Sequence, residues 1–150
     1  MWILAVNYLF LPFTAVYSQG DNGTGLCPTS WTAYEGSCYT LLSGNSSWHE
    51  AKSRCEEENA NLVTISSAQE NIFVSAHTDD CQKIWIGLND NRVEDTWQWL
   101  SNETFNFSAW MKDQPNNANS NQNCVELKPS TRKWNDKKCK KNNPAYCEKG

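Results

Sequence analysis

Seven cysteines and two histidines carry the most versatile chemistry in this 150-residue chain. No cysteine lies in a Cys-x-x-Cys pair, and His49 and His77 are the only imidazoles, so the spacing does not favour a zinc site. Cysteines at this density in a short chain are typical of a disulfide framework in an extracellular protein. Composition alone leaves many pairings open, and one cysteine is left over in each of them.

The sequence offers no constellation that would support catalysis. It contains no nucleophile elbow, no His-Glu-x-x-His run and no Cys-Cys-x-x-His-Asp run. His49 lies on the polar side of a predicted helix and His77 in a polar stretch, so we expect both at the surface. We therefore predict that the chain is not an enzyme and that it acts by binding.

The charge of the chain restricts its partners. The formal net charge is −4 at pH 7, which argues against nucleic acid. A basic run departs from this balance, with Lys137 and Lys138 before Cys139, Lys140 and Lys141 after it, and Arg132 and Lys133 nearby. It is interpreted either as a solvated basic turn or as a patch that attracts sulfated glycans or anionic surfaces. Binding through this patch should weaken as salt rises.

The beginning of the chain is typical of a secretory signal peptide. Residues 2–16 form an apolar run that is too short to span a bilayer. We predict a signal peptide over residues 1–18, a glycine-rich flexible leader over 19–26 and one domain over 27–150. No other stretch could cross a bilayer, so we expect a secreted, extracellular protein without membrane insertion. Four sequons predict N-glycosylation at Asn22, Asn45, Asn102 and Asn106.

The elements that would position a binding site can be predicted from caps and periodicity. Ser47 and Ser67 are each followed three residues later by a glutamate, Glu50 or Glu70, which predicts two helices that begin with capping boxes. The apolar face of the first helix should hold Trp48, Ala51 and Cys55. The second helix should carry Ile72, Phe73 and Ala76.

Short apolar segments predict strands. The candidates are residues 38–42, 62–65, 84–88, 124–127 and 146–147. Trp97 and Trp99 alternate with polar residues, as in a half-buried strand, and Trp85 and Trp134 are expected in the core. Helices early and strands late predict an α+β domain. Residues 101–123 are rich in Asn and Gln, and a connection of this length is typical of a functional or a disordered loop.

Three short motifs occur in order along the second half of the chain. They are Trp85-Ile86-Gly87-Leu88, Gln114-Pro115-Asn116 and Trp134-Asn135-Asp136. With the cysteines that flank them, they resemble the C-type lectin-like domain over residues 27–148. The resemblance implies a disulfide-stapled α+β fold with two helices, small antiparallel sheets and a long ligand-binding loop.

The resemblance also implies how the cysteines pair. The expected disulfides are Cys27–Cys38, Cys55–Cys147 and Cys124–Cys139. Cys81 is then left over, and it is interpreted either as an interchain bridge of a covalent homodimer or as a buried, unreactive thiol.

A carbohydrate site built around calcium is a further implication of the resemblance. In the family, sugar hydroxyls complete the shell of a calcium ion, and the matching ligands in this chain are Gln114, Asn116, Gln122, Asn135 and Asp136. A second calcium position would use Asp90 and Glu94 together with Asn117, Gln122 and Asn123. Carboxamide and carboxylate oxygens both suit this cation.

This chain departs from the family in the charge of that site. Mannose-type members carry Glu-Pro-Asn and galactose-type members Gln-Pro-Asp, whereas this chain has an amide at both ends of its tripeptide. Asp136 is the only carboxylate among the five matching ligands. Because carboxylates tune calcium affinity, we expect calcium binding no tighter than about 10⁻³ M. Two amides also remove the asymmetry that would choose between mannose and galactose.

Two functions follow from these residues. The first is a secreted lectin that binds carbohydrate or glycoprotein through calcium, in recognition of microbial or cell surfaces. The second is a lectin-like module that has lost metal-dependent sugar binding and recognises a protein or another surface through the same loop.

Overall fold

The structure of the protein is a computed structural model that describes residues 26–150. The predicted signal peptide, the leader up to residue 25 and the Asn22 sequon lie outside the described residues. Neither helix in the described part is long and apolar enough to span a membrane.

The first helix, α1, spans Trp48–Glu57 and begins with the predicted capping box between Ser47 and Glu50. Its buried side chains are those of Trp48, Ala51 and Cys55, as the periodicity indicates. The Trp48 indole donates a 2.9 Å hydrogen bond to the Ile86 carbonyl, which fixes the helix against the sheet.

The second helix, α2, spans Ala68–Ala76. Ser67 is its N-cap residue, but the predicted capping box is incomplete. The Glu70 carboxylate accepts from the Ser66 backbone N–H at 2.7 Å and not from that of Ser67. The helix carries Ile72, Phe73 and Ala76, as expected, but these are not its buried side chains. The buried side chains are Glu70, Asn71, Val74 and Ser75, whereas Ile72 is 46% exposed. The reason lies in tertiary contacts. The buried Asn71 amide donates to the Arg132 carbonyl and accepts from the Trp134 indole.

Eight strands form one mixed sheet with the order β1-β2-β8-β4-β6-β7, to which β3 and β5 are attached at β8 and β4. Their bounds are β1 Thr32–Tyr34, β2 Ser37–Ser46, β3 Asn61–Leu62, β4 Ile84–Asn89, β5 Gln98–Trp99, β6 Cys124–Lys128, β7 Lys133–Lys137 and β8 Asn143–Lys149. All neighbours are antiparallel except β4 and β8, where Trp85 faces Ala145 in a parallel pair. The α+β prediction is confirmed.

The predicted strand at residues 62–65 is shorter in the structure. Strand β3 ends at Leu62, and Val63 continues as buried chain whose carbonyl accepts from the Gly87 N–H at 2.9 Å. A Cβ atom at Gly87 would lie 2.6 Å from the Leu62 carbonyl oxygen, so only glycine allows this approach.

Strand β4 is apolar because it is buried on both sides. Ile84, Ile86 and Leu88 belong to a cluster that includes Trp134, while Trp85 belongs to a second cluster with Trp48 on α1. Trp85 and Trp134 are both fully buried, as expected.

The three disulfides are those that the resemblance implied. Cys27–Cys38 links the first described residues to β2, Cys55–Cys147 ties α1 to β8, and Cys124–Cys139 closes the chain that contains β7.

Candidate functional site

The long loop between β5 and β6 is held to β7 by contacts with Trp134. It contains a short 3₁₀ turn, Ala118–Ser120, and an isolated parallel β-bridge joins its Trp110 to Trp134. The Met111 N–H donates to the Trp134 carbonyl at 2.8 Å, and the Trp134 N–H donates to the Ala109 carbonyl at 2.9 Å. The ring of Trp110 packs edge-on against that of Trp134, with 5.9 Å between centroids. Trp134 therefore fixes the position of residues 109–111 of the loop.

Asp136, two residues further along β7, holds the segment that carries the Gln-Pro-Asn motif. The Asn116 N–H donates to both carboxylate oxygens of Asp136, at 3.2 and 3.1 Å. The Asn117 N–H donates to Oδ2 at 2.6 Å. Asp136 is completely buried. We call this set, Asp136 with the N–H groups of Asn116 and Asn117, the loop junction.

Several of the predicted amide ligands shape the loop itself. The Asn116 Oδ1 and Gln122 Oε1 atoms both accept from the Ala118 N–H at 3.1 Å, and the Asn117 Oδ1 atom accepts from the Gln122 N–H at 3.0 Å. Asn117 and Asn119 adopt positive φ angles of 43° and 60°, a backbone region that asparagine tolerates. Each carboxamide oxygen has a second lone pair, so these bonds leave ligand capacity.

The remaining two predicted ligands differ in their surroundings. The Oε1 atom of Gln114 is buried and has no hydrogen-bond partner among the described residues. Asn135 is half-buried on β7, and within residues 26–150 no hydrogen bond joins its side chain to the loop. The structure thus brings Asn116 and Gln122 into contact with the loop junction, whereas Asn135 lies beside Asp136 in sequence without sharing its contacts.

A second group of oxygens lies around Asp90. Ligand atoms of Asp90, Glu94 and Asp95 all lie within 4.8 Å of one another. The Asp90 Oδ2 atom accepts from the Asp95 N–H at 2.9 Å, and the Asn117 amide donates to Glu94 at 2.6 Å. Burial, followed by the charges of Asp95 and Asp136, raises the pKa of Asp90. Mutual repulsion between these carboxylates favours a cation.

Two buried acceptors in this group are unsatisfied. Among the described residues, the Oδ1 atoms of Asp90 and Asn123 have no hydrogen-bond partner, and the two residues are adjacent because the Asp90 N–H donates to the Asn123 carbonyl at 3.1 Å. Sequence reasoning included Asp90, Glu94, Asn117 and Asn123 but missed Asp95. Its position directly after Glu94 was the available signal.

The calcium that the family implies fits these residues. Buried oxygens in proteins normally have a hydrogen-bond partner. The buried oxygens of Asp90, Asn123 and Gln114 that have none among the described residues are carboxylate and carboxamide oxygens, which calcium prefers. Asp136 differs because its oxygens already accept backbone N–H groups. Calcium could bind Asp136 only by replacing the N–H groups of Asn116 and Asn117 as partners of its carboxylate.

Other candidate residues lie outside the loop junction. His49 and His77 are exposed, as expected, and Asn45, Asn102 and Asn106 of the three described sequons are exposed too. Cys81 is the unpaired cysteine and is half-buried. Burial, followed by the charges of Asp80 and Asp79, raises the pKa of its thiol.

Comparison with known proteins assigns the arrangement to a family. Residues 44–149 match the family model described as the lectin C-type domain. The chain belongs to the C-type lectin family. This fold and family are those of non-enzymatic carbohydrate-binding domains, which confirms the prediction that the chain is not an enzyme, and C-type lectin domains generally bind Ca²⁺.

Individual C-type lectins resemble the chain closely. It is 35% identical over 127 residues to C-type lectin domain family 4 member M of Gorilla gorilla gorilla, which covers 82% of this chain and 33% of the relative. It is 35% identical over 141 residues to asialoglycoprotein receptor 2 of Homo sapiens, with 89% of this chain and 44% of the relative covered. The chain spans about a third of the length of the first of these relatives.

A solved structure agrees with the fold. The cow C-type carbohydrate-recognition domain of CD23, determined in the presence of a GlcNAc2Man3 oligosaccharide, aligns with a TM-score of 0.79 and 30% identity. The alignment covers 83% of this chain and 95% of that domain.

Proposed function

We propose that the chain binds carbohydrate at the loop junction, through Gln114, Asn116, Gln122, Asn135 and Asp136, with a weakly held calcium ion shared between the protein and two sugar hydroxyls. The biological setting proposed is recognition of glycans or glycoproteins on microbial or cell surfaces.

The hydrogen bonds between Asp136 and the backbone of Asn116 and Asn117 carry this proposal because they bring the two motifs together, and calcium at Asp136 would replace them. They hold Asn116 and Asn117 against β7, which places the end of the Gln-Pro-Asn motif beside the Trp-Asn-Asp motif. Preorganised donors and acceptors on a rigid strand are what sugar hydroxyls require, since each hydroxyl both donates and accepts.

Calcium, when bound, supplies a positive centre that coordinates two neighbouring sugar hydroxyls. Asp90, Glu94, Asp95, Asn117 and Asn123 would hold a second ion behind the loop. The side chains of Asn116 and Gln114 orient the hydroxyls by accepting and donating hydrogen bonds. With one carboxylate among the five proposed ligands, the affinity for calcium is expected to be no tighter than about 10⁻³ M.

A glycan array with and without a chelator tests the proposal. Asn116→Ala should abolish the calcium-dependent signals, whereas Asn121→Ala, an exposed asparagine of the same loop, should leave them unchanged. Tryptophan fluorescence during calcium titration gives a second readout. Trp110 is the better reporter because it is half-buried, whereas Trp134 is fully buried. Millimolar calcium that changes neither signal would contradict the proposal.

A second candidate function is favoured by the same hydrogen bonds. The loop junction satisfies the Asp136 carboxylate without a metal, so the loop surface can keep its shape in calcium-free solution. A lectin-like module of this kind would recognise a protein or another surface independently of metal. Binding to a glycoprotein that survives both the chelator and enzymatic deglycosylation would select this function.

We also propose that the chain is secreted after removal of residues 1–18 and is glycosylated at Asn22, Asn45, Asn102 and Asn106. Support comes from the three disulfides and from the exposure of the last three asparagines. Expression in a secretory host followed by N-terminal sequencing and deglycosylation mass shifts tests both parts. A mature chain that begins at residue 1 would contradict the first.

A covalent homodimer through Cys81 is proposed as the alternative to a monomer. Partial exposure of Cys81 permits an interchain bridge, although the raised pKa of its thiol slows its oxidation. Non-reducing gel electrophoresis of the secreted protein should show a dimer that Cys81→Ser abolishes. A purely monomeric band would end this proposal.

A further inference from the structure

A cleft of about 240 Å³ lies away from the long loop, where β4, β6, β7 and β8 meet. It is lined by Lys83, Glu126, Lys137, Lys141, Asn142 and Asn143. We call it the lysine cleft. A water molecule occupies about 30 Å³ in the liquid, so the cleft has room for a group considerably larger than water.

The base of the lysine cleft is built around Glu126, which is 3% exposed. The Asn143 amide donates to Glu126 Oε2 at 3.1 Å. The Lys83 ammonium lies 2.9 Å from Glu126 Oε1, and among the described residues this oxygen has no hydrogen bond besides that ion pair. These contacts join the beginnings of β4 and β8 to β6, so the cleft has a fixed floor.

The walls of the lysine cleft are positively charged. Glu126 neutralises Lys83, while Lys137 and Lys141 form no ion pair within residues 26–150. The Lys141 N–H donates to the Lys138 carbonyl at 3.0 Å, and the Cys124–Cys139 disulfide fixes the same turn, so the backbone that carries both lysines is constrained. A local excess of two positive charges in a chain of net charge −4 favours an anion.

We propose that the lysine cleft binds a sulfate ester of a sulfated glycan, at a site separate from the loop junction. Ammonium groups donate hydrogen bonds to sulfate oxygens, and sulfate keeps its charge at every physiological pH. The exposed amide of Asn142 adds a donor and an acceptor for sugar hydroxyls beside the sulfate. The site needs no metal, so it operates whether or not the loop junction binds calcium.

The test uses a heparin-derived hexasaccharide and its fully desulfated counterpart, with chelator present throughout. Calorimetry measures the affinity of the whole mature chain for each. The variant Lys137→Gln/Lys141→Gln removes both unpaired charges from the cleft. The control, Lys138→Gln/Lys140→Gln, removes the same charge from the same basic run but from residues that do not line the cleft. Lys83 is left intact, because its loss would strand the buried Glu126 carboxylate.

We expect the sulfated hexasaccharide to bind and the desulfated one not to bind. The cleft variant should lose about tenfold in affinity, and the control about twofold, because charges inside the cleft are held closer to the ligand than solvated ones. Equal losses in both variants would overturn the proposal in favour of non-specific attraction. So would equal binding of the desulfated sugar. Thermal unfolding of each variant verifies its fold.

Discussion

The Asp136 carboxylate accepts three hydrogen bonds from the long loop, so its replacement tests how the loop is positioned. In Asp136→Asn one oxygen becomes an NH₂ group that faces the N–H of Asn116 or Asn117, so a donor meets a donor. We expect a loss of about 1–3 kcal/mol in unfolding free energy, and faster proteolysis within residues 101–123. Chemical unfolding and limited proteolysis measure the two effects.

Asp113→Asn is the matched control for this change. Asp113 is an exposed residue of the same loop with a φ of 62°, which asparagine also tolerates. It should leave both stability and proteolysis unchanged. Equal effects of the two substitutions would mean that the loop junction does not position the loop.

Glu148 gives a pH prediction at the same scale. Its carboxylate accepts from the Thr64 N–H at 3.0 Å and from the Tyr39 hydroxyl at 3.3 Å, and burial raises its pKa. The folded state therefore binds this proton more tightly than the unfolded state. The charged form lowers stability above the raised pKa, and the loss disappears as pH falls towards the ordinary glutamate value of about 4.3.

Glu148→Gln should remove that dependence. The stability of the variant relative to the natural chain should decrease steadily as pH is lowered from neutral to about 4, because protonation relieves the natural chain alone. Thermal unfolding over this range, with chelator present, measures the difference. Parallel stability curves for the two chains would contradict the prediction.

Among the elements, α2 depends on one polar contact with β7. The Asn71 amide donates to the Arg132 carbonyl at 2.9 Å, and its oxygen accepts from the Trp134 indole at 3.0 Å. Asn71→Ala leaves a buried donor and acceptor unpaired, so we expect a loss of about 2–4 kcal/mol in unfolding free energy. The exposed neighbour Gln69→Ala should cost less than about 0.5 kcal/mol. Urea unfolding compares the two, and equal costs would show that the contact is dispensable.

The same helix shows where sequence reasoning succeeds and where it stops. Serine caps and the apolar face of α1 are local signals, and both were predicted correctly. The burial of Asn71 on α2 had no such local signal, because its partners lie more than sixty residues away. The assignment of Gln114, Asn116 and Asp136 to one site came from the family resemblance and stays a prediction. The bonds of the loop junction join residues about twenty positions apart and have no local pattern that could predict them.

At the scale of the whole molecule, the disulfides should contribute unequally. Cys55 and Cys147 are separated by 92 residues, whereas Cys27 and Cys38 are separated by 11. Loop-closure entropy predicts a loss of about 4–5 kcal/mol for Cys55→Ala/Cys147→Ala and about 3 kcal/mol for Cys27→Ala/Cys38→Ala. Guanidinium unfolding of the two double variants measures the order. A larger loss for the shorter loop would show that native-state strain or packing outweighs chain entropy.

Strand β7 borders two separate candidate binding sites. Its burial alternates, because Trp134 and Asp136 are buried beneath the long loop whereas Asn135 and Lys137 are partly exposed. One five-residue strand thus borders both the loop junction and the lysine cleft. A neutral sugar and a sulfated one need not compete for it, so a single copy of the chain would have a valence of two and could cross-link glycans without forming an oligomer.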